Sequence, residues 1–91
     1  MYEKEIMITN PTGLHARPAT LLVKKAEKYE SKLELVNGQI IANPKSIFNV
    51  LAAGLGVGTK IKIRAEGSDE IEAVDELCKF ITSLELSLIH I

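Results

Sequence analysis

Residues 60–66 alternate strictly between polar and apolar side chains, and this alternation constrains the fold more than any other feature of the sequence. Ile61, Ile63 and Ala65 take every second position, and the positions between them are charged. Because successive side chains of a β-strand point to opposite faces, the pattern predicts a strand with one buried and one solvated face. Such a strand needs a sheet whose single apolar face is covered by other elements.

Three further strands and three helices are predicted around this strand. Segments with helical spacing of apolar residues and short alternating segments follow one another along the chain, separated by clusters of Gly, Pro, Asn and Ser. We predict strands at 2–8, 32–36 and 39–42, and helices at about 16–29, 47–53 and 69–84. The order βαββαβα predicts an α+β domain over residues 1–84, in which helices cover one face of a four-stranded antiparallel sheet.

Local signals place the turns and the helix ends. Asn37-Gly38 is the strongest two-residue signal for a hairpin turn, and it separates the second and third predicted strands. Ser46 follows the breaker Pro44 and is predicted to cap the second helix. The last helix is predicted to bury a stripe of apolar side chains, consisting of Ile71, Val74, Leu77, Cys78, Ile81 and Leu84.

The composition disfavours several classes of function. The chain has 91 residues, too few for two domains, and 11 Lys and Arg against 12 Asp and Glu give a net charge of -1. This balance does not favour nucleic acid or an anionic membrane as the main partner. RNA-binding α+β domains present aromatic side chains on a basic sheet, whereas this chain has only two Tyr, two Phe and no Trp.

The N-terminus and the cysteine content indicate a cytoplasmic protein. No stretch approaches the roughly 18 apolar residues of a membrane span, and the N-terminus does not resemble a signal peptide. Cys78 is the only cysteine, so no internal disulfide can form, which suits a reducing compartment. We expect a cytoplasmic monomer that does not insert into membranes. The apolar tail at residues 85–91 is expected to be disordered, to pair with a sheet edge or to be an addition from cloning.

His15 is the residue with the clearest chemical potential, because it stands where a breaker cluster ends and the first helix begins. The first turn of a helix has backbone N–H groups without helical acceptors, and the macrodipole adds about half a positive charge there. Both features favour a bound phosphate. Pro18 suits this turn because it lacks an N–H, and the Arg17 guanidinium can bind phosphate oxygens. The same dipole favours a neutral imidazole, whose free ring nitrogen can act as a nucleophile.

Other interpretations of His15 are an ordinary helix residue without a chemical role, a metal ligand or a member of a hydrolase triad. A metal site is disfavoured because His90, in the tail, is the only other histidine. No nucleophile, base and carboxylate are spaced as in a serine hydrolase. A self-sufficient enzyme is disfavoured too, since no acid, base or substrate pocket is evident beside His15. No cofactor is expected, and helix position alone leaves the first interpretation open.

Two segments of the chain resemble a known family. Residues 13–19, Gly-Leu-His-Ala-Arg-Pro-Ala, and residues 45–51, Lys-Ser-Ile-Phe-Asn-Val-Leu, are similar to the motifs of HPr, the histidine-containing phosphocarrier of the bacterial sugar phosphotransferase system. The two segments lie at the expected separation, and the order of elements agrees over about residues 2–84. The resemblance implies an open-faced β-sandwich with strand order 1-4-2-3 and three helices on one face.

The resemblance also implies a phosphoryl carrier rather than an enzyme. His15 would accept a phosphoryl group at Nδ1 from phosphorylated enzyme I, with phosphoenolpyruvate as the source, and pass it to sugar-specific enzyme II A domains. Arg17 matches the family's active-site arginine, and Thr12 stands where a small polar residue helps to frame the site. Ala16 and Pro18 complete the expected site, and Ala16 is small enough not to block an approaching partner.

Ser46 has two interpretations. As a helix N-cap it would contribute about 1 kcal/mol to stability. The resemblance adds regulatory phosphorylation, because the HPr of many Gram-positive bacteria is phosphorylated at this serine by an ATP-dependent kinase. The expected partners then include a serine kinase/phosphorylase and a catabolite-control transcription regulator. The alternative function is a regulatory phosphoprotein that acts mainly through phospho-Ser46 as cofactor of that regulator, although relatives of this kind lack the histidine.

The segment around Ser46 departs from the family at two positions. Asn49 stands where many members have glycine, and Pro44 stands where an aliphatic residue is common. The helix that follows is apolar almost all round, and so short a helix cannot bury every side at a domain surface. Leu21 likewise falls on the polar face of the first helix. We predict a docking surface for enzyme I and enzyme II around His15 and Arg17, and its members are Thr20, Leu21, Lys24, Ile47, Phe48 and Leu51.

Overall fold

The computed structural model describes residues 1–9 and 16–89, and these contain four strands and three helices in the predicted order. For Ala16 and residues 84–89 it describes the backbone alone. The strands are β1 (Tyr2–Met7), β2 (Lys32–Asn37), β3 (Ile40–Ala42) and β4 (Lys60–Glu66). The helices are α1 (Ala16–Ala26), α2 (Ile47–Ala52) and α3 (Glu70–Ile89).

The four strands form one antiparallel sheet in the order β1-β4-β2-β3, which confirms the predicted α+β fold, an open-faced β-sandwich. β4 lies between β1 and β2, with Ile61 opposite Ile6 and Ile63 opposite Leu35. The alternating side chains of β4, including Ala65, are buried as predicted. The alternation of residues 60–66 therefore identifies a central strand with one covered face.

The helices and the sheet share one hydrophobic core. α1 packs against α3, and α3 also packs on β1 and β4. The helical residues that are buried there are Ala19, Leu22, Val23, Ala26, Val50, Ala73, Val74, Leu77, Cys78 and Ile81. The other face of the sheet carries charged side chains, and Arg64 of β4 pairs with Glu34 of β2 at 3.1 Å. Such a face can remain in water without cost to the core.

The hairpin between β2 and β3 differs by one residue from the predicted turn. Asn37 belongs to β2 and pairs with Ile40, so Gly38 and Gln39 form the two-residue loop. Gly38 has a φ of 62°, and no described residue other than glycine has a positive φ. A positive φ at the first loop position alone is typical of a type II′ turn. The Asn37 side chain instead donates a hydrogen bond of 2.9 Å to the carbonyl oxygen of Ala53.

Two helices end at other residues than predicted. α1 ends at Ala26 rather than at residue 29, because the N–H groups of Lys28 and Tyr29 bond to carbonyls three residues back, each at 3.2 Å. This pattern is the tighter turn with which many helices finish. α3 continues to Ile89 rather than ending at residue 84. The origin and role proposed for the tail stay predictions.

The predicted place of Ile71 in the buried stripe of α3 is wrong. Its side chain is 58% exposed. The buried residues of α3 centre on a face from which Ile71 is turned by about 90°, at 100° per residue. Ile71 therefore lies at the rim of the apolar stripe, in the first turn of the helix, where it remains open to water.

Asp69 ties the connection before β2 to the connection before α3. Its carboxylate accepts hydrogen bonds from the backbone N–H groups of Glu30 and Ser31, at 2.9 and 3.0 Å, and from the Ser31 hydroxyl. The hydroxyl contact is the largest of the causes that lower the pKa of Asp69 below its usual value. Gly67 passes so close to the buried Ser31 that a Cβ on the glycine would lie 2.6 Å from Ser31 Oγ.

Candidate functional site

The helix at which the sequence places the phosphate site begins directly after His15. α1 starts at Ala16, and His15 precedes it in the chain. The predicted site residues Thr12 and His15 lie outside the described residues, and the side chain of Ala16 is not described. The described part of the candidate site consists of α1, which follows His15, and the segments on either side of residues 10–15.

The chain is anchored on both sides of residues 10–15. Ile8 is fully buried, its N–H donates to the carbonyl oxygen of Thr59 at 2.9 Å, and its own carbonyl oxygen accepts from the N–H of Gly58 at 2.7 Å. On the other side, Ala19 and Leu22 of α1 are also fully buried. Both flanks of the segment that carries His15 are thus fixed by the sheet and the core.

The first turn of α1 has the features of an anion-binding helix end. It contains no acidic side chain. The N–H groups of Ala16 and Arg17 lie where helical geometry supplies no acceptor, and the half-buried Pro18 has no N–H to leave unpaired. The Arg17 side chain is exposed, so its guanidinium is accessible to a ligand. The cation and the positive end of the helix dipole together favour a phosphate at this turn.

α1 presents a mixed surface of apolar and basic side chains beyond this turn. Leu21 is 42% exposed, as its position among polar neighbours predicts. Lys24 is exposed and Thr20 is half-buried. These three residues are the α1 part of the predicted docking surface.

Ser46 caps α2, as predicted. Its backbone is extended, with φ -124° and ψ 119°, and its Oγ accepts a hydrogen bond from the N–H of Asn49 at 3.4 Å. The side chain is half-buried at the head of α2. The capping role is therefore confirmed, whereas the regulatory role of Ser46 stays a prediction.

α2 exposes three of its large apolar side chains. Phe48 is 84% exposed, and Ile47 and Leu51 are also exposed. Val50 is fully buried and holds the helix on the core, and α2 packs against α1. The prediction that this short helix cannot bury all its apolar residues is confirmed. The α1 and α2 parts of the docking surface lie on neighbouring helices, and its function stays a prediction.

Two contacts around Ser46 are not evident from the sequence. The Lys45 ammonium donates to the backbone carbonyl oxygens of residues 29 and 31, at 2.7 and 3.2 Å. Asn49 Nδ2 donates to Ser46 Oγ at 3.2 Å. The capping box does not predict the second contact, because in that motif the side chain three positions after the capping serine bonds to the backbone N–H of the serine and not to its hydroxyl. The first contact joins residues far apart in the chain and has no local signal.

The described residues do not contain a metal cluster. Within residues 1–9 and 16–89, no three side chains of His, Cys, Asp or Glu are grouped so that they could hold a metal ion. In the same ranges, no helix has the length and apolar character needed to cross a bilayer.

Comparisons with known proteins agree with one another over nearly the whole chain. A family model described as "PTS HPr component phosphorylation site" matches residues 2–83. The phosphocarrier protein HPr of Buchnera aphidicola subsp. Baizongia pistaciae is 45% identical over 85 residues, which are 93% of this chain and 100% of that protein. The crystal structure of HPr-C-His from Thermoanaerobacter tengcongensis is 41% identical with a TM-score of 0.89, and the match covers 93% of this chain and 96% of that chain. A crystal structure of an HPr dimer from the same organism is 42% identical with a TM-score of 0.72, covering 91% and 95%.

Proposed function

Since the chain belongs to the HPr family of phosphocarriers, we propose that His15 takes a phosphoryl group from phosphorylated enzyme I and passes it to enzyme II A domains. HPr is a carrier rather than an enzyme, so the partners would supply the remaining catalytic groups. One observation carries the proposal: α1 begins directly after His15, and Arg17 stands exposed in its first turn.

In the proposed transfer, Nδ1 of a neutral His15 forms a bond to the phosphorus while the bond from that phosphorus to enzyme I breaks. The first-turn N–H groups and the Arg17 guanidinium would stabilise the phosphoryl oxygens. An exposed contact with a helix end contributes only about 0.3 to 1 kcal/mol. The phosphoryl group would therefore be held weakly enough to move on to an enzyme II A domain.

The partners would bind the docking surface. The exposed side chains of Leu21, Phe48 and Leu51 suit an apolar patch on a partner, and Arg17 and Lys24 suit acidic residues around it. Such a complex needs no second copy of the chain, so we propose a monomer that works in the cytoplasm beside enzyme I.

Phosphorus NMR tests the acceptor role. The protein is incubated with phosphoenolpyruvate and enzyme I, and the spectrum should show an acid-labile N-phosphohistidine. His15→Ala should abolish this signal. Ser46→Ala is the matched control and should leave it unchanged. A signal that persists in His15→Ala would contradict the assignment of His15 as the acceptor.

Regulation at Ser46 is the second part of the proposal. Ser46 is half-buried at the head of the helix that carries Ile47 and Phe48. A phosphate there would add about 1.5 to 2 negative charges beside the docking surface and repel an acidic partner. A protein that acts mainly through phospho-Ser46, as cofactor of a catabolite-control transcription regulator, is the alternative, and the presence of His15 argues against that role alone.

A serine kinase with ATP tests this second part. Phosphorylation should appear in the wild type, be absent in Ser46→Ala and slow the transfer from phospho-enzyme I to His15. An unchanged transfer rate in the phosphorylated protein would contradict the regulatory proposal.

A further inference from the structure

Asn49 donates two hydrogen bonds to the hydroxyl oxygen of Ser46. One comes from its backbone N–H at 3.4 Å and the other from its Nδ2 at 3.2 Å. A serine hydroxyl oxygen has two lone pairs with which it can accept. Both acceptor positions of Ser46 Oγ are therefore occupied by the same residue.

Asn43 fixes the orientation of the Asn49 amide. The backbone N–H of Asn43 points at Asn49 Oδ1, with a donor–acceptor distance of 3.3 Å. Because an N–H can only donate, it selects the oxygen of the amide and leaves Nδ2 on the side of Ser46. We call these contacts, from Asn43 to Asn49 and from Asn49 Nδ2 to Ser46, the asparagine clamp.

The loop that carries Ser46 is held in place independently of the clamp. Pro44 is fully buried, and the Lys45 ammonium bonds to two backbone carbonyls of the connection between α1 and β2. Asn49, in contrast, is exposed. The Ser46 oxygen is therefore freed most readily by rotation of the Asn49 side chain rather than by movement of the loop.

We propose that the asparagine clamp restrains Ser46 as a phosphoryl acceptor, so that an ATP-dependent serine kinase modifies this chain slowly until Asn49 turns away. The inference rests on the proposed phosphorylation of Ser46. In that reaction a lone pair of Oγ forms a bond to the γ-phosphorus of ATP, and the hydroxyl proton passes to a base of the kinase. The bond from that phosphorus to the β,γ-bridging oxygen breaks, and ADP leaves. The attacking lone pair must first lose the hydrogen bond from Nδ2.

The test measures kcat and KM for phosphorylation of Ser46 in the wild type and in Asn49→Ala. The reagents are radiolabelled ATP and a purified serine kinase that modifies the HPr of a Gram-positive bacterium, and that HPr is the positive control. Loss of one neutral hydrogen bond from the ground state should raise kcat roughly two- to tenfold with little change in KM. Gln39→Ala removes another exposed amide outside the clamp and should behave as the wild type. Transfer from phospho-enzyme I to His15 checks that each variant is folded.

The other outcomes separate the clamp from the regulation that it is proposed to control. Equal or slower labelling of Ser46 in Asn49→Ala, with the wild type labelled, would overturn the clamp and leave phosphorylation of Ser46 standing. A change confined to KM would also overturn it, because it would indicate an effect on kinase binding. If the Gram-positive HPr is labelled but neither the wild type nor Asn49→Ala is, the clamp and the phosphorylation of Ser46 both fail, because removal of the clamp would not have made Ser46 an acceptor.

Discussion

We expect the carboxylate of Asp69 to make the stability of the folded protein depend on pH. The hydrogen bonds from Ser31 and Glu30 lower the pKa of Asp69 in the folded protein. A carboxylate whose pKa is lowered in the folded protein stabilises the fold at pH values above its pKa in the unfolded chain, which is about 3.9. This contribution to stability is lost as the pH falls through the pKa of the folded protein. We expect Asp69→Asn to lower Tm at neutral pH and to reduce the further fall of Tm below about pH 4.

Thermal unfolding followed by circular dichroism between about pH 2 and 7 measures this effect. Glu66→Gln removes an exposed carboxylate from the end of β4 and serves as the control. If Tm falls with decreasing pH by the same amount in Asp69→Asn as in the wild type, Asp69 is not the cause of the loss of stability in acid.

Substitution of Gly67 tests how closely the connection before α3 approaches the connection before β2. A Cβ at Gly67 would lie 2.6 Å from Ser31 Oγ and 2.8 Å from Ser31 Cα. Its φ of 154° is also one that residues with a side chain rarely adopt. We expect Gly67→Ala to lower the free energy of unfolding by about 1 to 3 kcal/mol, measured in urea. Gly56→Ala should change it much less, because nothing lies within 4 Å of a Cβ at Gly56. Equal effects of the two substitutions would refute the close contact.

At the scale of the element, α2 carries one apolar side chain that packs in the core and others that are exposed on the surface. Val50 is buried, whereas Phe48 is almost fully exposed. We expect Phe48→Ala to change the free energy of unfolding by less than about 0.5 kcal/mol. It should weaken binding to enzyme I about tenfold in calorimetry, because an exposed aromatic residue often dominates an interface. Val57→Ala, another exposed apolar residue outside the docking surface, is the control. An unchanged affinity of Phe48→Ala would remove the apolar part of the docking surface.

The amphipathic faces of these elements are predictable, because alternation and helical spacing are properties of neighbouring residues. The alternation in residues 60–66 therefore predicts β4 correctly. The predicted hairpin turn is displaced by one residue because Asn37 pairs with Ile40 as the last residue of β2, while its side chain bonds to the distant Ala53. The prediction for Ile71 is wrong because the exposure of its side chain depends on where the rim of the core lies, which periodicity does not specify.

In the whole molecule, a sheet with one covered face supports the segment that contains the proposed phosphoryl acceptor. The candidate site is a prediction from the order of a breaker cluster, His15 and a helix with Arg17 in its first turn. The contacts that hold the flanks of this segment cannot be predicted in this way, because they join distant parts of the chain. Ile8 pairs with the loop at residues 58–59, and Lys45 bonds to the end of the connection after α1. Such contacts arise only when the strands have taken their order in the sheet.

A complete relay tests the central claim most directly, because a carrier must both accept and release its phosphoryl group. The protein is labelled from radioactive phosphoenolpyruvate through enzyme I, separated from enzyme I, and mixed with a purified enzyme II A domain. We predict that the label leaves this chain and appears on the enzyme II A domain, and that His15→Ala never acquires it. Label that stays on the chain in the presence of the acceptor, or that enters His15→Ala, would contradict the account.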